Sequence, residues 1–361
     1  MMIQQTGVKK AAFRSFLTDS LRWSGVKTFP MSQAIGALFG MAGPIALGVL
    51  SGDLQIGVAA SFGGLALSGE GAGDTFRNQA YRAIYSTVTG SIAVFAGIVI
   101  AGHHLLTMVA IPVIAAITGV LGSISRPLAR AATQFIIFMI IASNIGAHEI
   151  RPLGITILFF LGSVWTATLC LILRWLFSKK PFRRRLTDPV SETLTPGYTV
   201  NQLLKRWKRS LANISGWQYP IRITSCLIAA EAFEWIWLHH HGYWVLLTVA
   251  IVVQRNSHLV MKTFQRAAGT LMGVIFASLF LIWLPSIWTV VMLIGILAFL
   301  RPMLKETNYT AYAMIMTPLV ILLLALHQMP SWTVLVDRVL ATLAGCALAW
   351  ILGYWIWARQ I

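Results

Sequence analysis

Residues 174–185, RWLFSKKPFRRR, divide the chain into two apolar arrays, 31–173 and 218–358, and decide how the rest is read. Arg174, Lys179, Lys180, Arg183, Arg184 and Arg185 are followed by Lys205, Arg206, Lys208 and Arg209, against Asp188 and Glu192 alone. Such a basic stretch beside apolar spans marks the cytoplasmic face of a membrane protein, with anionic lipid as its natural neighbour. Hydrophobic types make up 57% of the 361 residues and charged types 11%, too few polar groups to cover a water-soluble surface. The net charge of +17 gathers at the turns between apolar segments, which argues against nucleic acid as a partner.

A helix crossing about 30 Å of hydrocarbon takes about 20 residues, fewer where protein rather than lipid surrounds it. Twelve segments qualify on that basis: 31–50, 54–68, 83–102, 105–122, 132–146 and 152–173, then 218–238, 242–254, 267–284, 286–300, 308–326 and 333–358. The sequence therefore predicts an all-α integral membrane protein with twelve transmembrane helices in two parallel six-helix repeats. Residues 1–30 form a cytoplasmic amphipathic lead-in, 31–177 the first repeat, 178–217 a basic cytoplasmic linker and 218–361 the second repeat. With the linker inside, Arg77, Arg82, Arg126, Arg130, Arg255, Lys262, Arg266, Arg301, Lys305 and Arg359 fall on the same side. The opposite turns carry His103, His104, His148, Glu149, Arg151 and His239 to His241, and both termini are cytoplasmic. A bacterial inner membrane is the expected location.

Landmarks recur between the arrays. Arg126–Pro127 and Arg301–Pro302 each follow a fourth segment, and Arg82 and Arg266 each stand at a third. The second member of each array is short, Leu54–Ser68 and Gly242–Gln254, and the first is rich in glycine. Matching short or glycine-interrupted segments are a sequence pointer to a central substrate site, so both are expected at an interface between the arrays. Packing of tilted or re-entrant helices is the competing reading.

Two faces share a tighter pattern: Arg266-x-x-x-Thr270-x-x-Gly273 and Arg338-x-x-x-Thr342-x-x-Gly345. Spacings of four and seven align a guanidinium, a hydroxyl and a close-approach glycine along one helix face. Either these are packing stripes with a snorkelling arginine, or they line an anion route, with Arg266 toward the inside and Arg338 toward the outside. Glu231 and Glu234, in an apolar segment, are unusual because intramembrane carboxylates are costly. Proton coupling, an ion pair with Arg338 or Arg222, and exposure at the outer interface stay open for them, with Asp337 on the same side. Arg126 and Arg301 serve either turn formation or attraction of an organic anion. Tyr243, Trp244 and Tyr312 are candidates to stack on an aromatic ligand or to anchor at the interface.

Cys170, Cys226 and Cys346 lie in apolar segments and read as packing residues, and adjacent histidines at 239–241 rarely converge on one metal. No phosphate-loop ending, HExxH or glycine-flanked serine motif is present, so no cofactor and no enzymatic activity are expected.

The block Tyr243-Trp244-Val-Leu-Leu-Thr248, then Gln254 and Arg266-Ala-Ala-Gly269-Thr270-Leu-Met-Gly273, resembles the fusaric acid resistance protein-like family. That family includes aromatic carboxylic acid exporters and is distantly related in fold to plant aluminium-activated malate transporters. The resemblance covers residues 218–358; the first array keeps Arg82 and Gly90 without the Tyr-Trp pair. It implies export of small organic anions, aromatic carboxylates among them, and assembly into a homodimer or higher oligomer. A passive anion channel and a membrane scaffold or envelope-biogenesis protein remain as alternatives.

Overall fold

The computed structural model of the protein describes residues 31–67, 76–145, 152–178, 214–236, 242–253, 259–283, 286–326 and 332–355, with a few positions between 205 and 212. They form twelve α-helices closed by a π-helical turn. In chain order these are α1 (Met31–Ser51), α2 (Leu54–Leu67), α3 (Phe76–Ile100), α4 (His104–Gly122), α5 (Arg126–Ile145) and α6 (Pro152–Ser178). After the linker come α7 (Ile214–Ile236), α8 (Tyr243–Val252), α9 (Leu259–Trp283), α10 (Ile287–Thr307), α11 (Tyr309–Ala325) and α12 (Trp332–Trp350), with the π-turn over Ile351–Trp355.

The helices are inside-out relative to those of a water-soluble bundle. Along α3, Tyr81, Tyr85, Val88, Ile92, Phe95 and Val99 are exposed at alternating spacings of three and four. Gln79, Ser86, Thr87 and Gly90 of the same helix are buried. An apolar stripe facing outward over a small and polar inner face is what hydrocarbon solvent selects.

The expectation of twelve transmembrane helices in two parallel six-helix repeats does not hold. Among the described residues seven helices are long and apolar enough to cross a membrane: α1, α3, α4, α5, α6, α10 and α12 with its π-turn. Helices α2, α8 and α11 are apolar but short. At 1.5 Å per residue, the ten residues of α8 rise about 15 Å, half of the hydrocarbon thickness. The remaining two, α7 with Arg222, Glu231 and Glu234 and α9 with Lys262 and Arg266, carry charge in their interiors and fall outside the seven. Hydropathy over a window registers apolar content and does not distinguish a helix facing lipid from one enclosed by protein. Nine of the ten residues of α8 are buried, so its uniform apolarity reflects enclosure on all sides.

The arrays interlock rather than stand apart. Ala37, Met41 and Ile45 of α1 share a core with Val290, Ile294 and Leu297 of α10 and Leu319 and Leu322 of α11. A second core joins Ile111 and Ala115 of α4 to Ile223, Cys226 and Leu227 of α7, and continues through Trp244 to Val253. Short helix α2 is held between α1 and α6, and α8 between α12, α7 and α5. Glycines make the closest of these approaches possible. A methyl on Gly162 would strike the carbonyl of Ala60, and one on Gly63 that of Phe159, so α2 and α6 pack backbone to backbone.

Candidate functional site

The charged side chains that the fold withdraws from its surface gather around α8 and α9. Arg338, on the second turn of α12, is 1% exposed, and Arg266 of α9 is 3% exposed. The Arg338 guanidinium lies over the Trp244 ring at 4.8 Å from its centroid, and Tyr243 meets the same indole edge-on at 5.6 Å. Nε and Nη1 of Arg338 have no hydrogen-bond partner among the described residues, and neither do the buried hydroxyls of Thr248 and Thr270. Thr342, by contrast, donates to the Arg338 carbonyl oxygen at 2.8 Å.

One contact joins α12 to α9: Cys346 Sγ lies 3.6 Å from the Thr263 carbonyl oxygen. The sequence pattern assigns the two arginines to opposite membrane sides. The fold brings them within electrostatic reach of one another. Gly345 and Gly273 serve contacts with other helices: a methyl on Gly345 would lie 2.8 Å from Thr248 Cβ of α8, and one on Gly273 2.5 Å from the Met314 carbonyl oxygen of α11. The Arg-Thr-Gly faces are thus helix contacts at their glycine ends and buried charge at their arginine ends.

Two carboxylates approach from α7. Glu231 is 3% exposed and its Oε1 has no hydrogen-bond partner among the described residues. Glu234 sits one turn on, against Gly242, where a methyl would meet its Cγ at 2.5 Å. Glu234 and Arg338 are both within electrostatic reach of Tyr243. Asp337 is buried beside Arg338 in sequence and engages a partner of its own.

A second group of cations lies where α10 meets α11. Arg301 is 8% exposed, and its Nη1 donates to the Leu65 carbonyl oxygen at 2.6 Å. Tyr312 feels the charges of Arg301, Lys305 and Arg266 together. Lys262 Nζ is 5.4 Å from the Tyr309 ring centroid, and the rings of Tyr309 and Tyr312 are 5.9 Å apart. Sequence reasoning missed Tyr309 and used Lys262 and Lys305 only for topology. The available signal was two basic pairs spaced by four, Lys262/Arg266 and Arg301/Lys305, with tyrosines three apart.

The other expected site residues lie elsewhere. Arg82 is half-buried in the second turn of α3 and engages a partner there, and Arg126 opens α5. Gln254, His239 to His241, the lead-in 1–30 and most of the linker lie outside the described residues. No group of three or more His, Cys, Asp or Glu that could hold a metal occurs among the described residues.

Residues 225–352 match the family model described as fusaric acid resistance protein-like. Inner membrane protein YccS of Escherichia coli (strain K12) is 32% identical over 141 residues, 39% of this chain and 20% of that protein. An uncharacterized protein of Haemophilus influenzae is 29% identical over 133 residues, 37% of this chain and 18% of that protein. The uncharacterized protein ORF2 of Neisseria gonorrhoeae is 30% identical over 117 residues, 32% and 28% of the two chains. The chain thus spans 18–28% of the length of these curated relatives. No solved structure matches.

Proposed function

We propose that this multi-pass membrane protein, a member of the fusaric acid resistance protein-like family through residues 225–352, moves small organic anions outward across a bacterial inner membrane, aromatic monocarboxylates foremost. The observation that carries the proposal is the Arg338 guanidinium, withdrawn from solvent onto the face of Trp244 with two nitrogens unpartnered among the described residues. Stacking on an indole in a desolvated setting returns about 2 kcal/mol. Taking the ion out of water costs several kcal/mol, so a deficit remains that a bound carboxylate would relieve by charge-assisted hydrogen bonds. Thr248 and Thr270 offer further donors, and Tyr243 and Trp244 offer aromatic faces to a flat substrate. Arg266 extends the same electropositive lane along α9.

Direction follows from charge. A membrane potential negative inside favours exit of an anion by about 2.3 kcal/mol per charge at 100 mV. Glu231 and Glu234 support coupling to proton entry, because two carboxylates one turn apart in a buried setting disfavour simultaneous ionisation and so exchange protons readily. A flux screen in proteoliposomes over aromatic, aliphatic and dicarboxylic acids tests the reading, with potential and pH gradient imposed separately. Flux of aromatic monocarboxylates above that of the other classes is expected. Transport confined to cations or neutral solutes would contradict it.

A further inference from the structure

We infer that the junction of α9, α10 and α11 is a second anion site, built for a phosphate monoester dianion and distinct in preference from the Arg338 site. Its floor is Arg266 and Arg301, both buried; its open side is Lys305, exposed, and Lys262, half-buried. Tyr309 and Tyr312 line it, with Lys262 Nζ 5.4 Å from the Tyr309 ring, the two rings 5.9 Å apart, and Tyr312 within electrostatic reach of Arg301, Lys305 and Arg266. Nε of Arg266 is buried there without a hydrogen-bond partner among the described residues, and the Tyr309 hydroxyl lies beside the same guanidinium. The start of α11 adds the positive end of a 17-residue helix. Its first amides are partly taken up by Asn308, whose Oδ1 accepts from Thr310 N at 2.8 Å and Ala311 N at 3.1 Å.

The charge balance selects the ligand. Between Lys262 and Asp337 the sequence holds a single acid, Glu306, against four cations, Lys262, Arg266, Arg301 and Lys305. One carboxylate is satisfied by one guanidinium fork and would leave most of this charge in place. A phosphate monoester carries about −1.5 to −2 at neutral pH and presents three acceptor oxygens, which match donors arriving from three helices. Two mobile ammonium groups at the rim with two guanidiniums at the floor suit a compact, multiply charged group. Free phosphate and the headgroup of phosphatidic acid both present this group. The site shares Arg266 with the proposed transport route, but its occupancy is a binding property that stands whether or not the protein moves aromatic acids.

The test uses the whole chain in nanodiscs. In phosphatidylcholine discs, radiolabelled inorganic phosphate should bind saturably, and Lys262→Gln/Lys305→Gln should weaken that binding about tenfold or more. In discs containing phosphatidic acid, native mass spectrometry should show the lipid retained by the wild type and lost from the same variant. Saturable binding in the first arm alone assigns the site to free phosphate, retention in the second alone assigns it to lipid, and either supports the inference. Tyr312→Phe, which keeps the ring and all four cations, serves as the folded comparison and should weaken binding by a smaller factor. Absence of binding in both arms, or binding that the double substitution leaves unchanged in a folded protein, would overturn it. So would displacement of phosphate by equimolar benzoate, since that would make the junction one more carboxylate station.

Discussion

Arg301 of α10 donates through Nη1 to the carbonyl oxygen of Leu65 at 2.6 Å, joining residues 236 positions apart in sequence. Leu65 is in the last turn of α2, where backbone carbonyls have no intrahelical donor. A guanidinium at that end satisfies the carbonyl and complements the helix dipole. Short helix α2 thus depends on α10 to finish it. Arg301→Ala is expected to lower stability by about 2–3 kcal/mol, the value of a buried hydrogen bond from a charged donor. Thermal unfolding in detergent checks this; Arg301→Lys, which keeps the charge, should recover part of the loss.

The α2 and α6 contact gives a sharper contrast. Gly162→Ala sets a methyl against the Ala60 carbonyl, where only backbone movement relieves the clash. A loss of about 1–3 kcal/mol is expected for such overpacking. Gly154→Ala, in the same helix with nothing within 4 Å of the new methyl, should be neutral or slightly stabilising. Comparing the melting temperatures of the two variants decides whether the helices pack this closely.

The order and rough extent of the described helices were legible in the sequence, because each apolar run is bounded by charge or glycine. Helix starts were less so. Hydropathy opens the ninth segment at 267, whereas α9 begins at Leu259 and carries Lys262 and Arg266 within it. The fifth opens at 132 by hydropathy, whereas α5 begins at Arg126 with Pro127 in its first turn, where proline costs no hydrogen bond. Spans were overcounted because α8 is apolar on every side through burial in protein. Arg338 and Trp244 were both recognisable as candidates, yet their stacking depends on how α12 registers against α8, and that information is tertiary.

Proton coupling makes its own demand on α7. Glu231→Gln and Glu234→Gln keep the shape of the side chain and remove the titrating group. Each is expected to abolish the response of anion flux to an imposed pH gradient while flux still follows the membrane potential. Flux in the wild type that follows potential and ignores the pH gradient would assign the protein to uniport and remove the carboxylates from the mechanism.

In the proposed route the Arg338 guanidinium over Trp244 binds the transported anion. The most direct test of this is benzoate flux per folded protein in proteoliposomes at fixed membrane potential, for the wild type, Arg338→Gln and Arg338→Lys. Removing a buried charged partner costs about 2–5 kcal/mol, so Arg338→Gln should lower flux about 30-fold or more, with Arg338→Lys intermediate. Arg338→Gln protein that is folded and carries benzoate at the wild-type rate would contradict the account.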